Sequence, residues 1–92
     1  MKKYIFNLSL PVSVLKENKR FIAYTPALDL STSGKTYAEV KKHFSEAVKI
    51  FFDELVERGT LEETLSNLGW KQIQKKWQPP TVVSNELQSV SI

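Results

Sequence analysis

The sequence predicts one α+β domain: a three-stranded antiparallel sheet, a long helix, a short helix and a further strand, in the order β-β-β-α-α-β. Three observations lead there. Apolar residues alternate with polar ones through the first third of the chain, the period becomes helical at Thr36, and alternation resumes after Gly69. A chain of 92 residues fits a single domain.

Tyr4, Phe6, Leu8, Leu10, Val12 and Val14 recur at every second position, with Asn7, Ser9, Pro11 and Ser13 between them. Side chains in a strand alternate between faces, so this pattern reads as a strand with one face buried. Pro11 has no N–H for a ladder, which puts the strand at a sheet edge, or bends or bulges it there. Residues 16–19 read as a hairpin connection, 20–25 as the returning strand and 28–33 as a third strand. Pro26 limits the second strand, and Gly34 turns the chain after the third.

Thr36 and Glu39 have capping-box spacing, and Val40, Phe44, Ala47, Val48, Phe51 and Leu55 follow as one apolar stripe with Tyr37 at its start. A helix over 36–58 is about 30 Å long at roughly 1.5 Å per residue, enough to cross a small sheet. Gly59 suits the position just past its end. The grammar then repeats: Thr60 and Glu63 form a second capping box, Leu61, Leu65 and Leu68 a short stripe, and Gly69 a stop. Residues 70–77 alternate again and are expected to form one last strand. Residues 1–78 make the expected domain; 79–92, opened by Pro79 and Pro80, are an extended or disordered tail.

Charge is distributed unevenly. Residues 1–35 hold six Lys/Arg and two acids, 36–69 four and seven, and 70–78 three lysines and no acid. A net charge of +3 is far from the clustered basic stripe of a dedicated nucleic-acid binder. The absence of cysteine excludes disulfides, thiolate-bound zinc and a cysteine nucleophile. No segment approaches the ~20 apolar residues of a membrane span, and polar residues interrupt the opening stretch where a signal peptide needs an unbroken apolar run. The expected location is the cytoplasm.

The chain offers little to a catalytic reading. His43, the one histidine, falls beside the apolar stripe as a boundary residue. Two-metal hydrolysis needs several carboxylates converging from different elements, and ahead of the long helix there are only Glu17 and Asp29. Glu62 and Glu63 fall in a first helical turn, where the helix dipole accounts for them. Gly34-Lys35-Thr36 resembles the end of a P-loop, but Asp29 stands where the upstream glycine belongs. No catalytic residue, metal ligand or cofactor is expected. Trp70 and Trp77 with Lys71, Lys75 and Lys76 offer a stacking-and-charge alternative for nucleic acid; the plainer account is a strand with an inward indole and a lysine-rich edge.

The run from Phe21 to Glu39 resembles the HicB family of antitoxins. The resemblance is carried by Ala23, Tyr24, Pro26, Leu28, Gly34, Thr36, Glu39 and Ala47, and continues through the Gly-Thr-Leu-Glu-Glu-x-Leu-x-x-Leu-Gly-Trp segment at 59–70. It spans roughly residues 3–77 and implies a partial ribonuclease-H-like fold without the nuclease carboxylates. It also implies a HicA-like, mRNA-cleaving toxin as partner, neutralised by covering its active surface, and self-association into a homodimer or higher oligomer. Many family members carry a C-terminal DNA-binding module; residues 79–92 are too short for one, so direct DNA binding is not expected of this chain. The expected contacts are Tyr24, Pro26, Leu28 and Asp29 at a strand end and loop, with Glu46, Asp53, Glu54 and Glu57 on the acidic helix face. The alternatives are an orphan domain acting as a degenerate nuclease, with Asp29 beside Glu46 or Asp53, or as a weak nucleic-acid binder through Lys71, Lys75 and Lys76.

Overall fold

The computed structural model describes residues 8–92. The elements are β1 (Ser13–Glu17), β2 (Arg20–Thr25), β3 (Leu30–Gly34), α1 (Tyr37–Arg58), α2 (Leu61–Asn67), β4 (Lys71–Ile73) and β5 (Lys76–Gln78). β1, β2 and β3 form an antiparallel sheet in that order, and β4 and β5 form a separate two-stranded sheet. The α+β architecture is the expected one, with a hairpin in place of the single last strand.

Tyr4 and Phe6 lie outside the described residues. From Leu8 onward the alternation points as expected, because Leu8, Leu10, Val12 and Val14 all pack toward the core. The first strand nonetheless starts later and runs further than the apolar pattern indicates. Its turn is only Asn18 and Lys19, with Asn18 at φ 57°. Asparagine tolerates that left-handed conformation, so Lys16 and Glu17 stay in the ladder opposite Phe21 and Arg20. The register pairs Val14 with Ala23 and Ala23 with Thr32. Phe21, Ala23 and Thr25 therefore share the face under the helix, and Leu15, Ile22 and Tyr24 the opposite face.

The third strand begins at Leu30 and includes Gly34, so Gly34 is a strand residue and not the turn that the sequence suggests. A Cβ on it would lie 2.6 Å from the Val40 amide nitrogen and 2.9 Å from the Val40 Cα. Glycine is required there because the helix backbone rests directly on the strand.

Thr36 caps α1, its Oγ1 accepting from the Glu39 amide at 3.0 Å. Val40, Phe44 and Phe52 are buried, with Val48 partly buried between them. Four-residue steps advance roughly 40° around a helix, so this row is inclined to the axis, as in ridge packing. That inclination buries Phe52 more deeply than Phe51, and leaves Tyr37 exposed at the first turn. The straight stripe drawn from sequence misses both.

α1 ends on Gly59 at φ 69°. Gly59 N–H donates to the Val56 carbonyl and Thr60 N–H to the Leu55 carbonyl, the paired bonds of a Schellman motif. That motif disables the second capping box. Thr60 has ψ 12°, its backbone is engaged in closing α1, and its side chain makes no cap to α2. A second Schellman motif closes α2: Gly69 N–H donates to Ser66 and Trp70 N–H to Leu65. The residue following it, Trp70, turns inward onto Leu65.

Gln74 and Lys75 have φ 51° and 67°. Two successive left-handed residues make a type I′ hairpin turn, which splits the expected last strand in two. Ile73 now pairs with Lys76 and Gln72 with Trp77. Trp77 packs against the core while Ile73 stays exposed. Residues 79–92 form neither helix nor strand.

The buried side chains fall into two groups. One joins Ala23, Val40 and Phe44; the other joins Ala27, Leu28, Phe52, Leu61, Leu65 and Trp70. Leu10 and Val48 touch both. The second group is tied by a buried hydrogen bond, Trp70 Nε1 to the Ala27 carbonyl at 2.7 Å, and by edge-to-face packing of Trp70 on Phe52.

Candidate partner-binding surface

α1 crosses the sheet on one side and presents the other to solvent. Glu46, Asp53, Glu54 and Glu57 are all exposed. They surround Ile50, which is 60% exposed. Relative to Ile50 they occupy the positions four before and three, four and seven after, spacings that place all five on one helix face. The structure brings the four predicted carboxylates together around an apolar side chain that the sequence reading passed over. Its signal was present: Ile50 is a large hydrophobe placed almost opposite the row Val40, Phe44, Val48, Phe52.

The loop from β2 to β3 divides its predicted contacts. Asp29 N–H donates to the Pro26 carbonyl at 3.3 Å and Asp29 takes φ 49°. In that tight turn Pro26 and Asp29 face solvent while Ala27 and Leu28 turn inward. Leu28 is only 2% exposed and belongs to the core, so it is corrected from contact residue to packing residue. Tyr24, half-buried, donates its hydroxyl to Asp29 Oδ1 at 3.0 Å. That bond, with smaller contributions from desolvation and the negative charge of Asp29, raises the Tyr24 pKa above its ordinary value.

The Asp29 carboxylate is thus engaged by Tyr24, while Glu46 and Asp53 belong to the exposed side of α1. Among the described residues no group of three or more His, Cys, Asp and Glu side chains is placed to hold a metal ion. His43 bonds through Nδ1 to the Ser33 carbonyl at 2.8 Å, and its Nε2 lies 3.8 Å from Glu39 Oε1. It links α1 to β3 from the boundary position expected of it.

Lys71, Lys75 and Lys76 are exposed on the β4–β5 hairpin. Lys71 and Lys76 share a face with Ile73, and Lys75 occupies the turn. The aromatic half of the nucleic-acid alternative is spent elsewhere: Trp70 is buried and Trp77 packs inward.

Among the residues that carry the HicB resemblance, several have clear structural duties. Ala23 and Leu28 are buried, Gly34 admits the helix, Thr36 caps it and Gly59 ends it. No described helix is long and apolar enough to cross a membrane. The chain matches no family model, no curated protein and no solved structure with which it was compared.

Proposed function

We propose that this chain is a HicB-like antitoxin module that binds a basic, HicA-type mRNA-cleaving toxin and silences it by covering its active surface. The observation that carries the reading is Ile50 exposed at the centre of Glu46, Asp53, Glu54 and Glu57. An apolar side chain ringed by charge is the anatomy of a binding hot spot: the centre gives up water on contact and the rim steers the encounter. A toxin that grips RNA must present positive charge, so an acidic face is complementary to it. The residue order shared with the HicB pattern supports the same reading. Tyr24, Pro26 and Asp29 form a second, smaller contact region, with Tyr24 and Asp29 pre-positioned by their hydrogen bond. Location in the cytoplasm, where such a toxin meets mRNA, belongs to the proposal.

The test is calorimetric titration of the full chain against the protein product of the adjacent gene, with rescue of any toxicity of that product scored in cells. The doubly reversed variant Glu54→Lys/Glu57→Lys and, separately, Ile50→Asp are expected to weaken binding at least tenfold and to abolish rescue. Their circular dichroism should stay unchanged, since all three side chains are exposed. A toxin that binds these variants as tightly as the wild type, or one that forms no complex at all, overturns the reading.

A further inference from the structure

The β4–β5 hairpin is purely cationic: residues 70–78 hold three lysines and no acid. Its ladder pairs Lys71 with Gln78 and Ile73 with Lys76, so these side chains share one face, and all of them are exposed. Lys75, in the turn, completes a ring of lysines around Ile73, which is 49% exposed. The other face is already occupied, because Trp77 packs against the core and holds the ribbon to the body. The ribbon thus offers a single free face, an apolar side chain set among cations.

A second set of apolar side chains leaves from the same root. Pro80 lies against Gly69, just ahead of β4, which holds the start of residues 79–92 beside the hairpin. Beyond it Val83, Leu87 and Ile92 are fully exposed and Val90 is 70% exposed. Val83, Leu87 and Val90 are spaced four and three residues apart, the spacing of one stripe of a helix, and a helix is the form in which an apolar segment satisfies its backbone groups in lipid. Glu86 is the only acid between residues 70 and 92. Scattered exposed hydrophobes are ordinary on a protein surface, but here they gather beside a cationic ribbon.

From this juxtaposition we infer that the β4–β5 hairpin and residues 81–92 bind the surface of an anionic phospholipid bilayer. Lys71, Lys75 and Lys76 contact headgroup phosphates, while Ile73, Val83, Leu87 and Val90 enter the boundary with the acyl chains. The charge is complementary to such a surface, and each lysine near it strengthens binding about fivefold. A nucleic-acid backbone would engage the lysines but leave the apolar side chains in water. It would also find no exposed aromatic on the hairpin to stack against, since Trp70 and Trp77 are turned inward. A lipid interface takes charge and apolar side chain together. Neither signal is strong alone, so the attachment is peripheral and reversible. This surface shares no residue with the acidic face of α1 or with the Tyr24–Asp29 corner, so a failed toxin titration leaves the inference standing.

Co-sedimentation of the full chain with vesicles tests it. Vesicles of phosphatidylglycerol mixed into phosphatidylcholine are expected to carry the chain down at about 0.1 M salt and to release most of it at about 1 M, where screening is nearly complete. Vesicles of phosphatidylcholine alone should bind it about a hundredfold more weakly. Lys71→Gln/Lys75→Gln/Lys76→Gln should lose about the same factor on the anionic vesicles, and Val83→Asp/Leu87→Asp about tenfold. Circular dichroism of both variants in buffer should stay unchanged, since all five side chains are exposed. The chain has no cysteine, so a polarity-sensitive fluorophore provides a second measurement. On Ile73→Cys its emission should shift to the blue with anionic vesicles, and on Glu57→Cys it should not. Excess single-stranded RNA should leave the vesicle-bound fraction unchanged. No binding to the anionic vesicles, equal binding to the neutral ones, or undiminished binding by the lysine variant overturns the inference. So does RNA that displaces the chain from the vesicles through the same lysines.

Discussion

Trp70 reaches back across 43 positions of sequence to donate its indole N–H to the Ala27 carbonyl. The bond joins the end of α2 to the loop between β2 and β3, with the indole 3% exposed. Trp70→Phe keeps a ring against Phe52 but leaves that buried carbonyl unpaired and a small void beside it. The two effects together should destabilise the protein by about 3 kcal/mol. In a domain of this size that lowers the melting temperature by roughly 12 °C, measured by circular dichroism.

Gly34 and Gly59 make opposite demands on the same substitution. Gly34→Ala drives a methyl into the Val40 backbone and should cost about 3 kcal/mol. Gly59→Ala meets nothing within 4 Å and bears only the penalty of its positive φ, about 1 kcal/mol. Urea midpoints of the two variants give the comparison, and equal costs would refute the close helix–strand approach.

The type I′ turn predicts a gain. Gln74 and Lys75 both hold a conformation that suits Asn-Gly better. Gln74→Asn/Lys75→Gly should raise stability by about 1 kcal/mol, read as a higher melting temperature. An unchanged or lower value would show that this hairpin is not formed as described.

Tyr24 links stability to alkaline pH. Its hydroxyl donates to Asp29, so the folded state favours the protonated phenol and its pKa is raised. The resulting stability is fully present below the ordinary tyrosine pKa and is lost as pH rises through the higher folded value. Phenolate absorbance should show one tyrosine ionising late, and Asp29→Ala should return it toward the ordinary range. No late-ionising tyrosine in the wild type would refute the hydrogen bond.

Much of the fold was legible because the relevant signals are local. The caps at Thr36, Gly59 and Gly69 act within one or two turns, and the alternation from Leu8 to Val14 needs only period two. The misreadings arose where two local rules met or where distance mattered. Thr60 closes one helix as it opens the next, so its capping box is overridden. Gln74 and Lys75 are neither glycine nor asparagine, which concealed their turn. The constraint on Gly34 comes from Val40 across a helix–strand contact that no short window contains. In the candidate surface, the four carboxylates were visible as exposed helix charge. Leu28 points inward because a tight turn reverses direction within a residue, and Ile50 is a single apolar residue on a charged helix face, which no periodic pattern marks.

The division of the core into two groups bridged by Leu10 and Val48 has a consequence for motion in the native state. Free energies of local opening follow buried contacts, and a core built in two cells opens in two steps. The sheet and the first half of α1 are expected to exchange as one unit, and α2, the β4–β5 hairpin and the last turns of α1 as another. Amide hydrogens on α2 should exchange with deuterium sooner than those of β2 and Val40. Their protection should collapse selectively in Trp70→Phe while that of β2 persists.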